Sequence, residues 1–263
     1  MNGKLAMRVA VCQSDTAGMA PTERLASLSE ATASADARLL LCPEMFMSGY
    51  AVPHLYAQYA EARDGAFAKG VAEIAKSTGT AIAYGYPEAA DGVIYNAAQC
   101  IDADGTTIAH HRKLVIPPGL EIGCFADGDG LTLFELDGIR FGILICYDVE
   151  FPEATRATAM AGAQVILAPT ALASQWGVVA HCMIPTRSFE NGVYLLYANH
   201  AGTEGEVSYL GASCIIGPDG KELARAGSDA QIITADVDLA RVEAAQARLP
   251  YHRDLESLRS RLR

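Results

Sequence analysis

Short apolar segments that alternate with amphipathic helices are the feature that most constrains the fold of this chain. The segment 37–42 is Ala-Arg-Leu-Leu-Leu-Cys and is stopped by Pro43, a pattern typical of a strand buried on both faces. Segments 22–35 and 65–77, on either side of it, place apolar residues along one face at helical spacing. Because a sheet buried on both faces must be covered by helices, the alternation predicts an α/β protein with its helices outside.

Aspartate–glycine pairs add hairpins to this alternation. They stand at 91–92, 104–105 and 137–138, between consecutive strand-like segments, where Asp-Gly favours a tight turn. The hairpins make the predicted sheets mixed and suggest two sheets packed face to face, an arrangement that hydrophobic periodicity alone does not settle. No linker rich in Pro, Gly, Ser or charge divides the 263 residues, so we predict a single domain over 1–263.

Charge and hydropathy argue against several classes of partner. The formal net charge is −11, which disfavours binding to nucleic-acid backbones and to anionic membranes. No apolar segment approaches the roughly 20 residues of a transmembrane helix, and residues 1–8 lack the apolar run of a signal peptide. We therefore expect a cytoplasmic protein whose partner is a small molecule, with no nucleic acid and no membrane.

The cysteines and histidines give no indication of a bound metal. The seven cysteines include no C-x-x-C pair, which fits neither a disulfide framework nor a zinc site. His110, His111 and His181 have no carboxylate or thiolate at ligand spacing on the same predicted face, so solvated or core roles are favoured. No G-x-G-x-x-G or Walker sequence is present either, and we predict neither a metal nor a cofactor.

Three reactive side chains follow three predicted strands. They are Glu44, Lys113 and Cys146, and ligands in α/β proteins bind beyond the carboxyl ends of strands. Each residue alone has a plainer interpretation, namely a solvated glutamate, a surface lysine and a core thiol. Their occurrence at analogous places favours convergence in one pocket. A nearby cation lowers the pKa of a thiol, so we expect Cys146 to be an activated nucleophile.

Amide hydrolysis by a thiol requires the partners that these residues supply. A base must take the thiol proton and an acid must protonate the leaving amine, and one carboxylate can do both in turn. The oxyanion of the tetrahedral intermediate needs donors, for which the Lys113 ammonium and the Tyr147 N–H are the natural pair.

Sequence blocks around these residues resemble the catalytic signatures of the nitrilase superfamily of carbon–nitrogen hydrolases. The blocks are Leu-Cys-Pro-Glu44-Met-Phe, His-Arg-Lys113-Leu and Leu-Ile-Cys146-Tyr-Asp-Val-Glu-Phe-Pro-Glu153, and further similar segments lie at 84–88, 95–96, 168–170, 187–191 and 216–220. The resemblance implies a four-layer α-β-β-α sandwich that dimerises. It also implies Glu44 as general base and then acid, Lys113 as oxyanion stabiliser, Cys146 as nucleophile, and Glu121 as the second glutamate that members often carry.

Within the superfamily, segments 84–88, 146–153, 195–199 and 250–251 resemble amidases of short aliphatic amides, such as 5-aminopentanamidase. That similarity implies a small, possibly ω-amino, carboxamide as substrate. Nitrile and N-carbamoyl substrates would use the same three residues and stay open, as does a catalytically silent α/β interaction module. Replacement of any of the three residues would favour the silent module, and all three are present.

Two further predictions concern the substrate's far end and assembly. An ammonium group needs an anionic or aromatic receiver, and we expect Glu204 or Glu206, in a glycine-containing loop, to hold it. Trp176 and Tyr50 would then cover the substrate's methylenes. The leucines at 255, 258 and 262 form a stripe with no evident partner, so we predict at least a homodimer with the tail 250–263 contributing.

Overall fold

The computed structural model describes residues 6–262. Its strands are β1 (Ala6–Gln13), β2 (Leu39–Leu41), β3 (Ala81–Ala90), β4 (Val93–Ile101), β5 (Thr107–Arg112), β6 (Thr132–Leu136), β7 (Ile139–Ile143), β8 (Val165–Pro169), β9 (Tyr194–Ala198), β10 (Thr203–Glu204), β11 (Val207–Ser208), β12 (Cys214–Ile216), β13 (Glu222–Arg225) and β14 (Gln231–Asp238). Its α-helices are α1 (Pro21–Ala35), α2 (Pro53–Tyr59), α3 (Ala66–Thr78), α4 (Tyr147–Glu150), α5 (Pro152–Met160), α6 (Ile184–Asn191), α7 (Leu239–Arg248) and α8 (Tyr251–Arg261).

The larger strands form two mixed sheets of six strands each. The first has the order β14-β1-β2-β3-β4-β5 and the second the order β13-β12-β9-β8-β7-β6. In both, three neighbouring strands are parallel, β1-β2-β3 and β7-β8-β9, and the outer strands are antiparallel. The parallel strands bring their carboxyl ends, and the loops after them, to one edge of each sheet.

Alternate residues of the central strands enter different apolar layers. In β2, Leu39 and Leu41 pack between the two sheets, whereas Leu40 and the following Cys42 pack under α1 and α3. On the second sheet, Ile143 lies between the sheets and Leu144 lies in the layer that α5 and α6 cover. Both faces of these strands are therefore buried, which explains why their sequences are continuously apolar. The predicted four-layer α-β-β-α sandwich with mixed sheets is confirmed.

The segment 179–191 is not one continuous α-helix. It consists of a π-helical turn (Val179–Met183) followed by α6, and the N–H of Ile184 bonds the carbonyl of Val179. Pro185 has no N–H to continue an α-helical ladder, so a wider turn precedes it. The short helices α2 and α4 were not predicted, because neither is long enough to show a helical period.

Within residues 6–262, the helices are too short or too polar to cross a membrane.

Candidate active site

The ends of strands from both sheets meet at one place. Glu44 follows β2 of the first sheet, Lys113 follows β5 of the same sheet, and Cys146 follows β7 of the second sheet. The segment after β8 links them, because Pro169 O accepts from Cys146 N at 2.9 Å and Thr170 O accepts from Glu44 N at 3.3 Å. The structure therefore brings the three sequence-predicted residues to the seam between the sheets.

A cluster of buried polar side chains surrounds Lys113. Its Nζ donates to Glu44 Oε1 at 2.7 Å and to Glu121 Oε1 at 2.5 Å. Asn96 Nδ2 donates to Glu44 Oε1 at 2.7 Å and to Glu121 Oε2 at 3.0 Å, and Tyr50 Oη donates to Glu121 Oε1 at 2.8 Å. Both carboxylates and the ammonium are fully buried. Such charges persist away from water only when each is paired and hydrogen-bonded, as here.

Glu44 retains one oxygen that is not committed to this cluster. Its Oε2 is buried and has no hydrogen-bond partner in the described part of the chain. Burial raises the pKa of this carboxyl to about 7, Lys113 opposes the rise, and Glu121 adds to it. A carboxyl group with a pKa near neutrality can accept and return a proton in the same reaction cycle.

Lys113 remains an ammonium although it is buried. Burial alone would lower its pKa, but the carboxylates of Glu44 and Glu121 outweigh burial and raise the pKa above the usual lysine value. The cluster therefore holds a fixed positive charge beside Cys146, which suits a donor to a developing oxyanion.

Cys146 has an uncommon backbone conformation. Its φ is 46° and its ψ is −104°, a left-handed region that residues with a Cβ rarely occupy. The N–H of Val149 bonds the carbonyl of Cys146 at 3.1 Å, so α4 begins immediately after the thiol. The side chain is only 9% exposed, at the base of a cavity.

The expected lowering of the Cys146 pKa is wrong. Burial and the nearby Glu44 carboxylate raise the pKa of the thiol above its ordinary value, and they outweigh Lys113 and the hydrogen bonds from Ala171 and Thr170. The resting side chain is therefore a thiol that needs a base, rather than a stored thiolate.

Asp148 and Asn96 were not predicted as site residues. The buried carboxylate of Asp148 accepts from Leu114 N at 3.1 Å, Val115 N at 3.0 Å and Ile145 N at 3.1 Å. It thereby ties the backbone after Lys113 to the backbone before Cys146. The only signal for either residue was its place in a segment resembling the superfamily, because hydrogen bonds across two sheets leave no periodic pattern in one chain.

A cavity of about 460 Å³ opens from Cys146 to the surface. It is lined by Tyr50, Pro117, Pro118, Gly119, Leu120, Cys146, Tyr147, Glu150, Ala171, Leu172, Ala173, Gln175, Trp176, Val179 and Val207. The three aromatic residues predicted near the substrate all line it, with Trp176 57% exposed at the mouth. A mostly apolar wall of this size, with Glu150 as its one acidic residue, suits a small molecule with few charges.

Glu204 is not at this cavity, in contrast to its predicted place at the substrate's far end. Its buried carboxylate accepts from Tyr50 N at 2.8 Å, Ala51 N at 2.7 Å and Tyr209 Oη at 2.8 Å, and pairs with Arg24 at 3.3 Å. With these donors around it, the carboxylate is not available to a substrate ammonium. Glu204 instead fixes the backbone that carries Tyr50.

Glu206 and the histidines lie outside the cavity wall. Glu206 is exposed, and the wall includes only its neighbour Val207. His111 is buried between Thr132 and Asp148, and His110 pairs with Glu88 at 3.0 Å. Over residues 6–262, no three His, Cys, Asp or Glu side chains are grouped as a metal site would require.

The family model described as carbon-nitrogen hydrolase matches residues 8–247. A Pseudomonas protegens protein described as "Hydrolase in pqqF 5'region" is 44% identical over 90% of this chain and 85% of its own length. An (R)-stereoselective amidase from Pseudomonas sp. is 30% identical over 85% and 81%. The human omega-amidase is 30% identical over 89% and 88%.

Solved structures with this fold include an amidase from Nesterenkonia sp. Its crystal structure superposes with a TM-score of 0.85 at 32% identity, covering 97% of this chain and 98% of that one. A cysteine-to-alanine mutant of that amidase in complex with butyramide has a TM-score of 0.84 over 94% and 96% of the two chains. Another of its structures shows Michael addition of acrylamide at the active-site cysteine.

Proposed function

This chain belongs to the carbon–nitrogen hydrolase family of the nitrilase superfamily and is an amidase, and we propose that it hydrolyses a small aliphatic carboxamide to the carboxylate and ammonia through a thioester on Cys146. The proposal rests on Glu44. Its Oε1 is anchored to Lys113 and Asn96, its buried Oε2 has no partner in the described chain, and its charge acts on a thiol that needs a base.

The first half-reaction forms the thioester. Glu44 Oε2 takes the proton from Cys146 Sγ as the sulfur attacks the amide carbonyl carbon. The tetrahedral intermediate then collapses, the carbon–nitrogen bond breaks, and the same carboxyl returns the proton to the leaving nitrogen, which departs as ammonia. A raised Glu44 pKa suits both transfers, since the group gains and loses a proton near neutrality.

The oxyanion of that intermediate is held by two donors. We assign the Lys113 ammonium and the backbone N–H of Tyr147 to this role. Tyr147 is the first residue of α4, where the N–H has no intrahelical acceptor. Each such donor contributes on the order of 3 kcal/mol to transition-state stabilisation. Glu121 and Asn96 act as positioning residues, because their side chains hydrogen-bond Lys113 and Glu44 and thereby orient them.

The second half-reaction releases the acid. Water attacks the thioester carbon and Glu44 takes one of its protons. The carbon–sulfur bond then breaks, so that the carboxylic acid leaves and the Cys146 thiol is restored with that proton. The released acid ionises and its proton passes to the ammonia product. The cycle consumes one water and one amide and needs no other reactant.

The amide is favoured over the nitrile and the N-carbamoyl compound as substrate. The similar Nesterenkonia amidase was crystallised with butyramide, and several relatives are described as amidases. A short aliphatic amide also fits the largely apolar wall around Leu172 and Val207. Direct comparison of butanamide with butanenitrile, at equal concentrations, tests this choice. Faster turnover of the nitrile would overturn it.

Replacement of the nucleophile tests the mechanism itself. The Cys146→Ala variant should lose ammonia release from butanamide by at least about 10⁴-fold, since no other group can form the thioester. Its thermal midpoint should change little, because the side chain is small. Rapid quenching of the wild-type enzyme with excess butanamide should show a mass gain on the peptide containing Cys146. Retained turnover in the variant, with the same kinetics, would refute the mechanism.

A further inference from the structure

The segment 44–51, which follows β2, carries Glu44 at its start and Tyr50 near its end. It is a series of turns, and Met45 has a φ of 52°, a left-handed conformation that residues with a Cβ rarely adopt. Gly85 packs against this backbone so closely that a Cβ on it would collide with Met45 N. A strained backbone persists only where surrounding contacts hold it in place. The contacts of this segment therefore decide where the Glu44 carboxyl lies.

His200 holds the start of this segment. A carbonyl oxygen only accepts, so Nε2 of His200, which lies 2.7 Å from Glu44 O, carries a proton. Burial lowers the pKa of His200 to about 4, so the ring is neutral near pH 7 and its Nδ1 is an acceptor. Ser14 Oγ donates to Nδ1 at 3.4 Å, and the Tyr209 ring packs on the imidazole with 4.9 Å between the ring centroids. The single N–H of the ring is thus directed at the residue that carries the base.

The far end of the segment is held by a buried ion pair. Glu204 accepts from Tyr50 N at 2.8 Å and pairs with Arg24 at 3.3 Å. Arg24 also donates to a backbone carbonyl within the segment at 3.1 Å. Residues 200–204, which follow β9 of the second sheet, therefore contact both ends of 44–51, and the backbone of the base cannot shift without breaking contacts between the two sheets.

We propose that His200 is the positioning residue of the base, because its N–H fixes the Glu44 carbonyl and thereby aligns the Glu44 carboxyl with the Cys146 thiol. This inference rests on the function proposed above, in which Glu44 is the base. The His200 ring is 3% exposed and its two nitrogens are taken by Glu44 and Ser14, so it has no group to offer a substrate. Loss of its hydrogen bond to Glu44 should change the geometry of proton transfer and leave amide binding nearly intact.

Two substitutions at position 200 test this role. His200→Leu fills a similar volume but has no donor, whereas the amide nitrogen of His200→Gln can take the place of Nε2. With butanamide as substrate, kcat should fall by about 10- to 100-fold in His200→Leu, and KM should change by less than about threefold. His200→Gln should recover most of kcat. Equal losses in the two variants, or a loss that appears mainly in KM, would overturn the proposal.

A double variant tests whether His200 acts through Glu44. Glu44→Gln removes the base, so a residue that acts only by aligning the base has nothing further to align. Adding His200→Leu should lower the residual kcat of Glu44→Gln by less than about twofold, far less than in the wild-type background. Fully additive losses would show that His200 acts on another step, and the proposed role would be wrong.

Val237→Ala controls for a general loss of stability. Val237 is buried between the sheets and pairs with Met7, at the end of β1 opposite to the end that leads to the site. The cavity left by the substitution should lower the melting temperature without changing kcat. If Val237→Ala lowered kcat as much as His200→Leu at a similar melting temperature, instability would explain both losses and the proposal would fall.

Hydrogen exchange measures the hold on the segment without any substrate. Amides of the segment are hydrogen-bonded within the turns, as in Gly49 N to Met45 O at 2.8 Å. Peptides covering 44–51 should exchange at least about tenfold faster in His200→Leu than in the wild type, and near the wild-type rate in His200→Gln. Unchanged exchange in His200→Leu would overturn the proposal. A wild-type enzyme that hydrolyses no amide would refute the proposed function, whereas exchange would still decide whether His200 holds this segment.

Discussion

The buried polar cluster around Lys113, which forms the inner end of the site, and the cavity wall, which forms its outer end, differ in how their side chains are held. At the inner end, Lys113 is fully buried and touches two carboxylates, and the cluster is joined by Asn96 and Tyr50. At the outer end, Trp176 is more than half exposed, and Glu150 has no side-chain partner in the described chain. Mutual hydrogen bonds hold the side chains of the inner end in one arrangement. At the outer end, one side chain can be replaced without removing a hydrogen-bond partner of another.

The two ends of the site should therefore differ in how well they tolerate amino-acid substitutions. A substitution in the inner cluster leaves a buried charge without a partner, so it affects the chemistry and the fold together. A substitution at the outer end alters only what the cavity admits. The reaction and the substrate preference therefore depend on nearly separate sets of residues.

Removal of the base should have the largest effect on chemistry among these changes. Glu44→Gln keeps the shape and the acceptor for Lys113 but removes the proton acceptor, so kcat should fall by about 10²- to 10⁴-fold. The fall should be the same for butanamide and hexanamide, since the far end of the substrate does not touch Glu44. Ammonia release from both amides measures it. A loss confined to one amide would show that the two ends are not separate.

The pH profile should reveal the same base. Burial raises the pKa of Glu44 to about 7, and the base must be ionised to act, so kcat/KM should fall as the pH drops through about 7. Below that value the loss should approach tenfold per pH unit. Glu121 raises the Glu44 pKa, so Glu121→Gln should move this limb to lower pH. If the acid limb of the pH profile did not move in Glu121→Gln, the result would contradict an electrostatic interaction between Glu44 and Glu121.

Change at the mouth should affect binding more than chemistry. Trp176→Ala removes an exposed ring from the cavity wall, so KM for hexanamide should rise several-fold with kcat nearly unchanged. The acid limb of the pH profile should not move. A large drop in kcat would instead place Trp176 in the arrangement of the reacting groups.

The smallest effect on activity should come from the C-terminal helix. Leu258, on α8, is 49% exposed, and Leu262, directly after α8, is 74% exposed. Helix α8 contacts α6 through Tyr251 and Phe189. We expect these leucines to contribute to a homodimer, so Leu258→Glu with Leu262→Glu should weaken association while turnover per chain changes little.

Sedimentation velocity at micromolar concentration measures this association. Glu256→Gln, an exposed change on the same helix, serves as the control. A wild-type protein that sediments as a monomer would refute the expected dimer.

The layered architecture and the identity of the reactive residues could be predicted from local sequence. Continuous apolar strands such as Leu39–Leu41 are buried on both faces in the structure, and local periodicity is sufficient to show this. Glu44, Lys113 and Cys146 each follow a strand, and strand ends are visible in one dimension. Their convergence in one site was predicted from those positions and from the resemblance to the nitrilase superfamily.

The contacts of Glu204 and the pKa of Cys146, in contrast, depend on how distant parts of the chain pack together. Glu204 was expected to be free in a loop, but contacts with Arg24 and the backbone of Tyr50 and Ala51 bury it, and partners so distant in sequence leave no local signal. The direction of the Cys146 pKa shift likewise could not be predicted from the sequence, because it depends on burial of the thiol and on its interaction with Glu44. Local pattern records which face of a strand is buried, whereas charge and solvation depend on every element that packs around a group.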